Sequence, residues 1–194
     1  AISLGSLASI DPLTPEPLYN IPPPQTAYYM FRWRDRICLL DFRDTVDYQS
    51  YVQYSGLDSC YIGVPQESWP PLNLLTVAAK GDKTRAGVET PVGALVLAET
   101  DSYLIRGELT DKTIAPDQSE AITESVLPLN WSIGTRSPLS VVSTPYGVIW
   151  FDQNKRIQLW SNTGYPTEIG IALRSELVDI LDTDDVRRRV EGMW

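Results

Sequence analysis

Aspartates are the side chains best placed to do chemistry in this sequence. Asp41, Asp44 and Asp47 share one short stretch, Asp152 follows an aromatic run, and Asp182, Asp184 and Asp185 lie near the C-terminus. Two carboxylates about 5 to 10 Å apart suffice for glycoside hydrolysis, and Trp69, Trp131 or Trp160 could stack on sugar rings beside them. Their settings argue for structural work instead. Asp152 closes an apolar run before Gln153-Asn154-Lys155, and Asp82 and Asp101 also stand at turn positions, where a short carboxylate bonds nearby backbone N–H groups. Asp41 to Asp47 alternate with Arg43 in what reads as a solvated loop. The chain has no His, which removes the commonest general base, the Ser-His and Cys-His nucleophile pairs and most transition-metal sites.

Other ligand chemistry is equally thin. Gly81 and Gly87 are separated by Asp-Lys-Thr-Arg-Ala with no Gly-Lys-Ser/Thr after them, so no phosphate-cradling loop is formed. Asp182-Thr183-Asp184-Asp185 lacks the glycine and distal Glu of a calcium loop. Its simpler use is to cap a helix running to about Glu191, after a first helix over Ile169 to Leu181 with apolar residues at Ile171, Leu173, Leu177, Val178 and Leu181. Cys38 and Cys60 lie in different apolar runs and read as two buried free thiols. The expectation is a chain that is not an enzyme, with no catalytic residue, no cofactor and no metal.

Composition sets the frame for these residues. At 194 residues and 43% hydrophobic content the chain can bury a sizeable core, as one domain or one large piece of a domain. Sixteen basic residues against twenty-five acidic ones give a net charge of −9, which argues against a DNA-gripping surface. The one basic cluster, Arg187, Arg188 and Arg189, reads as a helix face turned to solvent or to another protein. No window approaches the roughly 18 apolar residues of a membrane span. The start lacks both a Met and the basic opening of a signal peptide, and the end stops on apolar residues. A cytoplasmic site of synthesis and a longer parent chain are expected.

The elements that must position these side chains are short strands. Residues 1–26 form a leader with Pro12, Pro15, Pro17 and Pro22-Pro23-Pro24, extended and unable to enter a sheet interior. Ala27 to Trp33 and Arg36 to Phe42 form a hairpin around Arg34-Asp35, and Tyr51 to Tyr54 is a third strand. A second round comprises Asn73 to Ala79, Gly93 to Ala98, Ser102 to Arg106 and a weaker strand at Ala121 to Leu127. A third comprises Leu139 to Ser143, Gly147 to Asp152 and Arg156 to Trp160. Rounds recurring at roughly 45 to 65 residues fit propeller blades, while turns every 8 to 12 residues or so fit a β-sandwich equally well. Within the third round, Val148, Trp150 and Asp152 share one face and Ile149 and Phe151 the other, so Trp150 reads as core between blades. Trp160, beside the polar Ser161 to Gly164, reads as more exposed and is a candidate interface residue together with Arg187, Arg188 and Arg189.

The order of these pieces resembles the propeller of structural proteins in tailed-phage virions, of the tail-hub, nozzle and packaged-DNA-stabilising type. The resemblance runs from Val52 to about Leu177. It is carried by Val52 to Ser55 with Gly56-Leu57-Asp58, Pro71 to Asn73 with Lys80 to Asp82, Val92 to Leu97 with Asp101 to Gly107, Ile133 to Ser140, Thr144 to Asp152, and Gly164 to Gly170. It implies an all-β fold, a propeller segment of about three blades over residues 27–168 with a small helical segment at 169–194, and a virion scaffold of the tail or head-tail connector made in the host cytoplasm. Expected partners are other virion proteins, in a homo-oligomeric ring with genome DNA passing nearby and no membrane. A closed propeller needs at least about four blades, so the rest of the ring is expected to come from outside these residues. The competing reading is a propeller that binds or cleaves carbohydrate.

Overall fold

The computed structural model describes residues 27–42, 49–56, 69, 73–109 and 125–175. They form three four-stranded antiparallel sheets, each made of four strands consecutive in the chain. The first sheet holds β1 (Ala27–Trp33), β2 (Arg36–Phe42), β3 (Tyr51–Tyr54) and β4 (Leu74–Thr76). In the second are β5 (Thr84–Thr90), β6 (Gly93–Ala98), β7 (Ser102–Arg106) and β8 (Ser125–Pro128). The third comprises β9 (Val142–Thr144), β10 (Gly147–Phe151), β11 (Ile157–Trp160) and β12 (Thr167–Glu168).

The second and third sheets open with the same hairpin. Thr90-Pro91-Val92-Gly93 joins β5 to β6, and Thr144-Pro145-Tyr146-Gly147 joins β9 to β10. Proline presets φ at the first turn position, and the glycines take φ of 145° and 137°, which side chains rarely tolerate. In each turn the Thr hydroxyl donates to the glycine carbonyl, at 2.7 and 2.8 Å. A Cβ on Gly93 would strike the Ile105 carbonyl, and one on Gly147 the Trp160 carbonyl. Aligning the two turns makes Leu95 equivalent to Ile149 and Leu97 to Phe151. In the first sheet, Trp33-Arg34-Asp35-Arg36 fills the same place, with Arg34 at φ 53°.

Stacking follows from the alternation along the middle strands. On β6, Ala94, Val96 and Ala98 pack with Phe31, Leu40 and Tyr54 of the first sheet, whereas Leu95 and Leu97 pack with Val148, Trp150 and Trp160 of the third. The second sheet is therefore covered on both faces, which is why β6 reads as a continuous apolar run. At one edge, β5 packs against β1 and β2 on one side and β9 and β10 on the other. The connection from β8 to β9 is bonded to both neighbours. The Thr135 N–H donates to the Ala98 carbonyl at 2.7 Å and its hydroxyl to the Phe151 carbonyl at 2.7 Å.

The expected helical insert is not seen in the described residues. The Ile169 N–H donates to the Ile157 carbonyl of β11 at 3.0 Å, which ties the start of that segment to the sheet edge. A 3₁₀ turn at Ile171–Leu173 follows, Arg174 and Ser175 continue it in helical conformation, and the rest of the expected helical segment, 176–194, lies outside the described residues. A second 3₁₀ turn, Pro138–Ser140, precedes β9 where the sequence predicts a strand from Leu139. The expectations for the leader, Asp44, Asp47, Cys60, Asp182, Asp184, Asp185, Arg187, Arg188 and Arg189 lie outside the described residues.

Candidate functional site

Among the described residues, Asp152, Asp101 and Asp82 organise turns of the fold. Asp152 Oδ1 accepts the backbone N–H of Asn154 at 2.7 Å and of Arg156 at 2.9 Å, and its Oδ2 accepts Gln158 Nε2 at 2.9 Å. Asp101 Oδ1 accepts the N–H groups of Ser102, Trp131 and Ser132 at 2.8, 3.0 and 3.2 Å. Asp82 Oδ1 accepts Thr100 N–H at 3.0 Å. These are turn-organising bonds, as the sequence reading of Asp152, Asp101 and Asp82 expects. Gln153 adds a bridge the sequence does not announce. Its Oε1 accepts Gly134 N–H at 2.7 Å and its Nε2 donates to the Ser132 carbonyl at 2.9 Å. Among the described residues, no three His, Cys, Asp or Glu side chains converge as a metal-ligand group.

Asp41 does not lie in a solvated loop. It is a buried residue of β2 with φ 58°, and that backbone turn breaks the strand's alternation. Leu40 faces the second sheet, Asp41 also reaches that sheet, and Phe42 joins Leu39 under Trp69 on the opposite face. The Asp41 carboxylate sits 2.8 Å from Lys83 Nζ and 3.2 Å from Arg85 Nη1, and Arg85 also pairs with Glu99. Two acids and two bases thus form a neutral network that ties β2 to the start of β5 and to the β6–β7 turn.

Trp69 and Trp131 are buried, and Trp160 is 2% exposed rather than presented at the surface. The expected exposure of Trp160 is corrected because Gln158, which shares its face, is not turned to solvent. Asp152 satisfies the Gln158 amide, and the whole face can then bury against the second sheet. The Trp160 Nε1 donates to the Gly164 carbonyl at 3.2 Å, and its ring lies 5.4 Å from that of Trp131. Tyr165 covers the pair at the surface, its ring 6.1 Å from Trp131 and its hydroxyl donating to the Trp131 carbonyl at 2.7 Å. Trp150 is completely buried, as expected.

Cys38 is a buried free thiol, as expected, and burial pushes its pKa up to about 12, with Arg36 pulling it down and Glu89 adding to the rise. Burial moves Tyr29 and Tyr103 in the same direction. The unfolded chain gives up the Cys38 proton near its ordinary value of 9.0 while the folded chain keeps it. Stability contributed by this thiol is therefore intact below pH 9 and declines from there toward pH 12, by at most about 1.4 kcal/mol per pH unit. Urea midpoints measured across that window should fall less steeply for Cys38→Ala than for the parent chain. In the native state near neutral pH, Cys38 should resist a thiol-specific reagent that labels it after denaturation.

No family model matches the chain, and no curated protein matches it.

Proposed function

We propose that the chain is a structural protein of a tailed-phage virion, a propeller-type scaffold of the tail or head-tail connector that assembles with neighbouring subunits around the DNA channel. One observation carries this reading: three consecutive four-stranded meanders are stacked so that the first strands of the second and third pack on the sheet before them. Blades of a propeller are organised in that way, and a repeated Thr-Pro-x-Gly hairpin opens two of them. The pieces of the resemblance from Val92 to Leu97, from Asp101 to Gly107 and from Thr144 to Asp152 overlap β6, β7 and β10. In this reading the sheets radiate about an axis, and closure comes from beyond one chain. The net charge of −9 suits a channel wall, because like charge does not hold passing DNA. Support against the carbohydrate reading comes from the burial of Trp69, Trp131 and Trp160, which removes the rings that would stack on sugar.

Gold-labelled antibody raised against the chain, applied to purified phage particles, should mark the tail or its junction with the head. Particles without label overturn the proposal. So does saturable binding on a glycan array that Tyr165→Ala abolishes, which would establish the carbohydrate reading through the exposed ring.

A further inference from the structure

Among the described residues, the second sheet is covered on both faces while the first and third each lack a neighbouring sheet on one. The hairpin alignment shows what the open face of the third sheet is made to receive. Leu95 and Leu97 are fully buried against the sheet that follows them, and of their equivalents in the third sheet Phe151 is already buried while Ile149 is only half-buried. Ile149 pairs across the sheet with Val142 and Leu159, giving an apolar row that is only half-buried. The surface that fits such a row is the preceding face of another sheet of this kind.

The first sheet carries that face. Its β1 turns Phe31 and Trp33 toward the second sheet and leaves Tyr28 and Met30 outward, 61% and 70% exposed. Junctions within the chain are made by the first strands, β5 on β1 and β2, then β9 and β10 on β5. The open residues of the first sheet are therefore on the strand that would make the next junction, while Trp69 covers the corner at Leu39 and Phe42. The turns match as well. Within the chain, the β1–β2 turn reaches the second sheet when Arg34 N–H donates to Glu89 at 3.1 Å and its guanidinium pairs with Glu108 at 2.8 Å. At the open junction the corresponding turn holds Tyr146, 81% exposed, and the position matching Glu89 is Arg32, an aromatic ring facing a guanidinium.

We infer that two copies of this chain join head to tail, the third sheet of each against the first sheet of the other, closing a ring of six sheets. Propellers close with about four to eight blades, and two copies of the three sheets seen among the described residues supply six. The inference rests on the blade reading above and names its partner as the chain itself.

Sedimentation velocity of the 194-residue chain at micromolar concentration should show one species of twice the 21.7 kDa chain mass. Met30→Asp and Ile149→Asp should each weaken association at least tenfold, with an unchanged far-ultraviolet circular dichroism spectrum showing that the sheets are intact. Each variant keeps one sound face, so mixing the two should restore a heterodimer that neither forms alone. A wild-type chain that stays monomeric with intact sheets overturns the ring, leaving the virion scaffold to the antibody test. A dimer untouched by Met30→Asp overturns it in favour of third sheets paired symmetrically. Open polymers or aggregates of the wild-type chain overturn it too.

Discussion

Trp150→Ala is expected to destabilise the protein by about 3–5 kcal/mol, the range for deleting a large aromatic side chain from a packed core. Trp150 has no exposed surface and lies on the face of β10 that meets Leu95, Leu97 and Leu104 of the second sheet. Those side chains belong to another sheet and cannot follow the missing ring without giving up their own strand pairing, so the void collapses little. The indole N–H complicates the cost in a useful way. Trp150 Nε1 is buried without a hydrogen-bond partner, and a buried donor left unpaired costs about 1–3 kcal/mol. Trp150→Phe discards that unpaired group together with part of the ring, so its net cost should be under about 1.5 kcal/mol, well below that of Trp150→Ala. Urea unfolding followed by circular dichroism would measure both, and exposed Tyr146→Ala should change stability by less than about 0.5 kcal/mol. A Trp150→Ala change that small would instead place the ring at the surface.

Much of the strand content was legible because it obeys local rules. β1, β2, β3, β6 and β7 run over the residues that alternation and turn chemistry predict, since each joins β-forming residues to a short polar turn. β5 escapes local sequence rules for a physical reason. Thr84 to Thr90, TRAGVET, contains no aromatic residue and carries Gly87 at its centre. That glycine is needed because the Phe31 ring of the first sheet lies where a Cβ would project, so tertiary packing sets the residue and local propensity hides the strand. β12 is two residues long, too short to give any period. For Trp160 and Asp41 the polarity of neighbouring residues suggests exposure, but in both cases a bonded side-chain partner or a backbone turn brings the polar group inside. The repeated Thr-Pro-x-Gly hairpin was readable, at a spacing of 54 residues from Thr90 to Thr144, and it aligns the second and third sheets more directly than their hydrophobic runs do.

The second large effect is expected at Asp41, where backbone and charge can be separated. Asp41→Ala removes the carboxylate from Lys83 and Arg85 and also puts an alanine at φ 58°. Stranding a fully buried charge costs about 3–5 kcal/mol, and a left-handed backbone adds about 1–2 kcal/mol for a residue other than Gly or Asn. Two features lower the charge cost. Lys83 and Arg85 keep 17% and 13% of their side-chain surface exposed, and Arg85 retains Glu99. The net expectation for Asp41→Ala is about 3 kcal/mol. Asp41→Asn keeps the backbone preference and an acceptor oxygen while losing the charge, so it should cost about half as much. Asp41→Gly keeps the backbone alone and should fall between them. Adding Lys83→Met to Asp41→Ala removes the ammonium that would otherwise face Arg85 unpaired, and should recover part of the loss rather than add to it. Because the network is largely buried, moderate salt should shift these differences little. The carboxylate joins the first sheet to the second, so its loss should loosen that junction before the one at Trp150. Hydrogen exchange would read this as earlier deprotection of β1 and β2 than of β10 and β11. Equal deprotection of all four strands in Asp41→Ala, or an Asp41→Asn chain as stable as the parent, would show that the charge does not hold the two sheets together.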